Sequence, residues 1–289
     1  MLELAAPPPE IAIPLAGLFG LLIGSFLNVV AHRLPGIVIA EAEGRRPAMS
    51  LAFPASHCPQ CHATLGWREN IPLLSFLLQR GRCRHCAAAI PWRYPALELL
   101  GAAAAALAVW RFGFSLEGAR LAVFLLTLLA LAAVDLESGL LPDRITLPLL
   151  WLGLLIAALG HGPAPAQAIL GAAAGYAALD GLNRATRLCL GRDGMGGGDA
   201  KLAAAMGAWL GPAPLLWALL IAFATGAIYG VGALLTKWTS NRSPATNGQT
   251  GAAADELPFG PWLALGGAVL ATWPELGGAA STWWRFGAL

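Results

Sequence analysis

Apolar runs set the pattern of this chain, at residues 11–31, 97–110, 121–134, 145–179, 202–236 and 257–274, all free of charge except for Glu98 at the start of the second. Such runs read as membrane helices, because a charge at the bilayer centre costs about 2.5–3.5 kcal/mol even on lenient insertion scales. One span takes about 20 residues, so the fourth and fifth runs are each too long for a single helix. Each contains a breaker: Gly160, Gly162, Pro163 and Pro165 divide the fourth, and Gly211, Pro212 and Pro214 divide the fifth. The division predicts about eight transmembrane helices and an all-α polytopic fold. The shortest, 202–210, covers about 14 Å at ~1.5 Å per residue, against a hydrocarbon core of about 30 Å.

Composition sharpens this picture: 57% of the residues are hydrophobic and 12% charged, and the mean hydropathy is +0.64. An ordinary soluble domain is excluded. The net charge of +2 says little, whereas the placement of the charges says more. Arg33, Arg45, Arg46, Arg68, Arg80, Arg82, Arg84 and Arg93 all lie between the first two runs, which puts that loop in the cytosol. Threading onward places Arg144, Arg184, Arg187, Arg192 and Lys201 on the same side, and leaves Arg111, Arg120 and Arg285 outside. Residues 1–10 are acidic and Pro-rich rather than basic, so 11–31 is expected as a retained helix and not a cleaved signal. The expected organisation is a first transmembrane helix at 1–31, a cytosolic loop at 32–95 and a multi-helix membrane block at 96–289. Within that block the Ser-, Thr- and Asn-rich stretch 237–256 forms a flexible cytosolic linker. No internal repeat is evident.

Four of the five cysteines form two C-x-x-C pairs in the basic loop, Cys58 with Cys61 and Cys83 with Cys86, separated by 21 residues. That spacing is close to a zinc ribbon's, and soft thiolates suit Zn. A site that uses all four positions is structural, one zinc per chain, and a reducing cytosol favours metal over disulfides. Four unmetallated thiols or a redox pair are the competing reading. His57, His62 and His85 flank these ligands and read as solvated loop residues, and Cys189, near the end of an apolar helix, as a small core residue rather than a nucleophile.

Acids adjoining the apolar runs are few, and the threading puts Asp135, Asp143 and Asp199 on one side of the membrane. Asp135 ends the third run. Asp199 closes Gly194-Met195-Gly196-Gly197-Gly198-Asp199 and opens a helix-favouring stretch. Two carboxylates at helix ends suit an aspartic peptidase, in which one acid protonates the carbonyl oxygen while the other activates the attacking water. The glycines ahead of Asp199 leave bare backbone that an extended peptide can approach. The blander reading makes Asp199 an N-cap and Asp135 an interfacial acid. Asp143 is expected to cap a helix or pair with Arg144, and Asp180 to pair with Arg184.

Several motifs occur in order along the chain. They are Gly24-Ser25-Phe26-Leu27-Asn28 with Arg33-Leu34-Pro35, the two C-x-x-C pairs, Glu69-Asn70-Ile71-Pro72, and Arg93-Tyr94-Pro95 with Glu98. Asp135, Leu141-Pro142-Asp143, the G-x-G-D at residues 196–199 with Lys201, and Pro258-Phe259-Gly260-Pro261 follow. In these motifs the chain resembles the bacterial type IV prepilin peptidases. The resemblance implies a membrane aspartic peptidase whose catalytic acids match Asp135 and Asp199, with Gly196, Gly198 and Lys201 in the active-site loop. It also implies S-adenosylmethionine-dependent N-methylation of the residue that cleavage exposes. The implied substrates are prepilins and pseudopilins held in the bilayer, with a short basic leader ending in Gly. The implied location is the bacterial inner membrane, and no nucleic acid is implied as a partner.

No glycine fingerprint for a Rossmann-type methyl-donor site occurs in a strand-turn-helix context. The candidates for the methyltransferase site are therefore Gly24, Ser25, Asn28, Glu69 and Asn70, with close helix packing as the alternative role of the Gly24-Ser25 step. A different class of function, a non-enzymatic membrane scaffold or transporter component with a partner-binding zinc loop, would leave peptide bonds uncut.

Overall fold

The computed structural model describes residues 7–191, 194–239 and 258–277. The linker expected at 237–256 falls outside them from residue 240 on. The described residues are helical apart from loops and two isolated β-bridges. The helices are α1 (Pro9–Ala42), the short α2 (Leu74–Leu78), α3 (Arg93–Phe112), α4 (Leu116–Ser138), α5 (Asp143–Ala158), α6 (Pro165–Leu190), α7 (Gly197–Leu210), α8 (Pro212–Thr239) and α9 (Gly260–Thr272). Leaving out α2, these are the eight helices of the apolar pattern. Four of them, α1, α3, α4 and α8, are long and apolar enough to cross a membrane. Both breakers act as expected. α5 ends at Ala158 and α6 restarts with Pro165 in its first turn, while Gly211 at φ +77° separates α7 from α8.

The chain forms two compact units, Met1–Val134 and Asp135–Leu289, and α4 runs through the division. In the first unit α1 packs against α3. α1 does not stop near Ala31 but continues through Pro35 to Ala42, 34 residues or about 51 Å, well beyond a bilayer core. The α1–α3 contact is made by small residues. A Cβ on Gly20 would lie 2.3 Å from the Gly101 carbonyl oxygen, and one on Gly101 would lie 2.5 Å from that of Gly20. Such contact replaces the hydrophobic drive that lipid cannot supply.

The second unit is built around α7. This helix has 14 residues, about 21 Å, and every residue from Asp199 to Leu210 except Lys201 is buried. It touches α5, α6, α8 and α9. A helix apolar on all sides belongs in an interior, so the run too short to span becomes the centre of its unit. Ala and Gly let its neighbours close in. A Cβ on Gly207 would sit 2.1 Å from the Gly171 oxygen of α6, and one on Gly175 would sit 2.4 Å from the Ala203 oxygen. Trp209 locks α5 onto α7 by donating from Nε1 to the Leu149 carbonyl (2.8 Å).

Candidate active site and metal centre

In the basic loop each C-x-x-C pair makes the same turn. The Cys58 N–H donates to Ala63 O and the His62 N–H to Cys58 O; the Cys83 N–H donates to Ala88 O and the Ala87 N–H to Cys83 O. Bridges His57–Thr64 and Arg82–Ala89 close the two turns. The shared hydrogen-bond pattern is a short structural repeat that residue identity hides. The four Sγ atoms lie within 4.8 Å of one another, with Cys58–Cys86 at 3.8 Å and Cys61–Cys83 at 4.0 Å. A tetrahedron of 2.3 Å Zn–S bonds has edges of about 3.8 Å, so the donor set fits zinc. Backbone N–H groups of Cys61 and Gln60 pull the Cys58 thiol down to about 6. At Cys86 the Ala88 N–H favours the thiolate, yet desolvation and the three neighbouring cysteines outweigh it and push the thiol up to about 12. Four thiolates this close need a cation among them.

A cavity of about 340 Å³ lies between α1, the start of α3 and this loop. Ser25, Asn28, Glu69 and Asn70 line it, and so do Cys58, Cys83, Arg33, Tyr94 and Glu98. Of the five methyltransferase candidates only Gly24 is not in its wall. A Cβ there would meet Glu98 Cα at 2.7 Å, so Gly24 serves the α1–α3 packing. Asn28 ties the helices together above the cavity, donating to Tyr94 O (3.2 Å). Glu98 is buried and accepts the Leu73 N–H (2.8 Å), and Arg33 is buried and donates to Ser50 O (3.0 Å). Glu69 accepts the Gly66 N–H on Oε2, while its buried Oε1 has no hydrogen-bond partner among the described residues. His85 Nε2 lies 3.6 Å from that oxygen.

The two candidate acids both belong to the second unit. α4 runs three residues past Asp135 to Ser138, so Asp135 stands in the last turn and not at the terminus; it is 5% exposed. Asp199 is 7% exposed. It is not the N-cap of α7. Gly196 takes that position and Asp199 is the third helical residue, with its Oδ2 near Gly196, 3.6 Å from a Cβ built there. Its other oxygen, Oδ1, is buried without a hydrogen-bond partner among the described residues. Asp135 Oδ2 accepts the Gly260 N–H at 2.8 Å.

The glycine loop has tighter constraints than bare backbone suggests. Gly198 is pressed against Leu141, whose Cβ would lie 2.7 Å from a Cβ built there, while Gly197 faces open space. Asn183 on α6 holds the loop from the other side, its Oδ1 accepting the N–H groups of Gly194 (2.9 Å) and Met195 (3.1 Å). Lys201 places Nζ 2.7 Å from both oxygens of Asp143, tying the start of α7 to the start of α5. Asp143 thus pairs with Lys201 and not with Arg144, and it follows the N-cap Pro142 without capping by its side chain. Asp180 does pair with Arg184 (2.8 Å). Cys189, expected as a core residue, is instead exposed in the last turn of α6. Sequence reasoning did not single out Asn183, which carries no motif, and it gave Gly260 only as part of Pro258-Phe259-Gly260-Pro261, without a role, because Gly260 acts through its backbone.

Comparison with known proteins gives the family. Residues 18–112 match the family model described as bacterial peptidase A24 N-terminal domain, and residues 122–231 match that of the type IV leader peptidase family. A prepilin leader peptidase/N-methyltransferase of Aeromonas salmonicida (strain A449) is 43% identical over 291 residues, covering 95% of each chain. Proteins of the same name are 43% identical in Burkholderia pseudomallei (strain 1026b), covering 91% of this chain and 86% of that one, and 38% identical in Stutzerimonas stutzeri, covering 94% of each. No solved structure matches the chain.

Proposed function

The chain belongs to the type IV leader peptidase family, and from that premise we propose that Asp135 and Asp199 are the catalytic pair that cuts the leader from prepilins. It is a multi-pass membrane protein, a prepilin leader peptidase and N-methyltransferase. The observation that carries the assignment is the pair of buried carboxyl groups on α4 and α7, one held by a backbone N–H and the other presenting a free buried oxygen. In the reaction one carboxylate takes a proton from water as it attacks the scissile carbonyl, and the other protonates the carbonyl oxygen. Gly196, Gly198 and Lys201 hold the loop that carries Asp199. The charge asymmetry supports an inner-membrane protein with loop and acids on the cytosolic side, where an inserted prepilin or pseudopilin would present its leader. Such substrates serve type IV pili or type II secretion.

The four cysteines would hold a structural zinc, which brings the two turns together and leaves no open coordination position for chemistry. S-adenosylmethionine, the methyl donor, supplies an electrophilic methyl group. The cavity beside the zinc turns suits a ligand of this size, since small-molecule sites run from about 300 Å³ upward. Ser25, Asn28, Asn70 and the Glu69 Oε1, which makes no hydrogen bond among the described residues, supply the polar contacts a nucleoside and an amino group require. Gly24 sets the helix spacing beneath them. On this reading the first unit carries methylation and the second carries cleavage.

The test uses purified protein in detergent, given a prepilin and methyl-labelled S-adenosylmethionine. A shortened, labelled product is expected. Replacement of Ser25 or Asn70 should abolish labelling while cleavage persists; loss of both activities together would refute the division.

A further inference from the structure

In the first turn of α9, hydrogen-bond accounting leaves one donor over. The Trp262 and Leu263 N–H groups both go to Phe259 O, and Pro261 has no N–H. The Gly260 N–H remains, and it is the one that reaches Asp135, 125 residues earlier in the chain. The missing side chain matters as much as the donor. A Cβ on Gly260 would stand 2.7 Å from Asp135 Oδ2 and 3.0 Å from its Cγ, so any larger residue displaces the carboxyl group. α9 does not depend on this bond for its place. It is seated on α8 where a Cβ on Gly266 would lie 2.1 Å from the Ala218 oxygen, and by the ring pairs Phe259–Phe223 and Trp262–Tyr229 at about 5 Å. The donor is delivered by a helix fixed independently of the acid it serves.

We propose that Gly260 is a positioning residue for cleavage: its N–H, at the positive end of α9, fixes the carboxyl group of Asp135 in its reactive orientation. The surrounding Pro258-Phe259-Gly260-Pro261 sequence then has a physical reading, in which Pro261 removes a competing donor and Gly260 supplies a donor without a Cβ. The inference rests on Asp135 being one of the catalytic acids.

The experiment replaces Gly260 with glycolic acid by suppression during cell-free synthesis into nanodiscs, which turns the Phe259–Gly260 amide into an ester, deleting the N–H and weakening the Phe259 carbonyl that accepts the Trp262 and Leu263 N–H groups, an effect the stability measurement reads. Gly260→Ala and Asp135→Asn are made alongside, and prepilin cleavage, methylation of a pre-cleaved pilin and thermal stability are measured. The ester should lower kcat for cleavage about tenfold or more with KM, methylation and stability unchanged, and Gly260→Ala should lower kcat further. An ester variant with the wild-type kcat, or one whose loss lies in KM or in stability, overturns the proposal. Should Asp135→Asn cleave normally, the catalytic assignment itself falls; if it is inactive while the ester is normal, only the positioning role falls.

Discussion

Replacing Asn183 with Ala tests how the glycine loop is held in place. The side chain accepts two backbone N–H groups, from Gly194 at 2.9 Å and Met195 at 3.1 Å, and lies on α6 rather than on the loop itself. Each such bond is worth about 0.5–1.5 kcal/mol net, so the substitution loosens the loop by about 1–3 kcal/mol. Gly196, the N-cap of α7, follows directly, and Asp199 is in the first turn behind it. If cleavage requires the held loop, the rate falls by about 5- to 150-fold at about 1.4 kcal/mol per decade. The assay is single-turnover cleavage of a prepilin in nanodiscs, with methylation of a pre-cleaved pilin as the control that should not change. Asn183→Asp keeps the accepting oxygen and should retain most of the rate. Wild-type cleavage by Asn183→Ala, or an equal loss in Asn183→Asp, would refute the clamp.

Asp135→Asn and Asp199→Asn should each abolish cleavage, and the double variant should be no worse than either, because the acids act as one unit; additive losses would contradict a dyad. Cys58→Ser should lower bound zinc well below one per chain by elemental analysis and make the loop between α1 and α3, residues 43–92, protease-sensitive first, leaving the membrane helices protected. Zinc should also be lost as pH falls, since protons compete for the thiolates it needs, and be retained at and above neutral pH; metal content after dialysis across pH 4–8 checks the sign. Gly207→Val sets a side chain where a Cβ alone would lie 2.1 Å from the Gly171 oxygen, and should cost about 1–3 kcal/mol or more in unfolding free energy. Gly232→Ala, at a glycine with no neighbour within 4 Å, should be neutral.

Signals confined to about 20 consecutive residues were legible without a fold. Apolar runs and their Gly and Pro breakers specify eight helices because hydropathy and backbone restriction act locally. The two C-x-x-C pairs announce a metal turn because each pair is one local turn, and the acids stand out because charge beside an apolar run is costly. Tertiary structure decided what those elements do to one another. The short, all-round apolar sequence of α7 points to an interior, but only the helices that close on its Ala and Gly residues make it the centre of its unit. The pairing of Lys201 with Asp143 required α5 and α7 to start side by side. The grouping of Ser25, Asn28, Glu69 and Asn70 around one cavity required α1 to meet a loop some forty residues further on. Asp135 gains its partner from a backbone N–H at Gly260. Every residue but proline carries such a donor, so only the path of the chain shows where one is aimed.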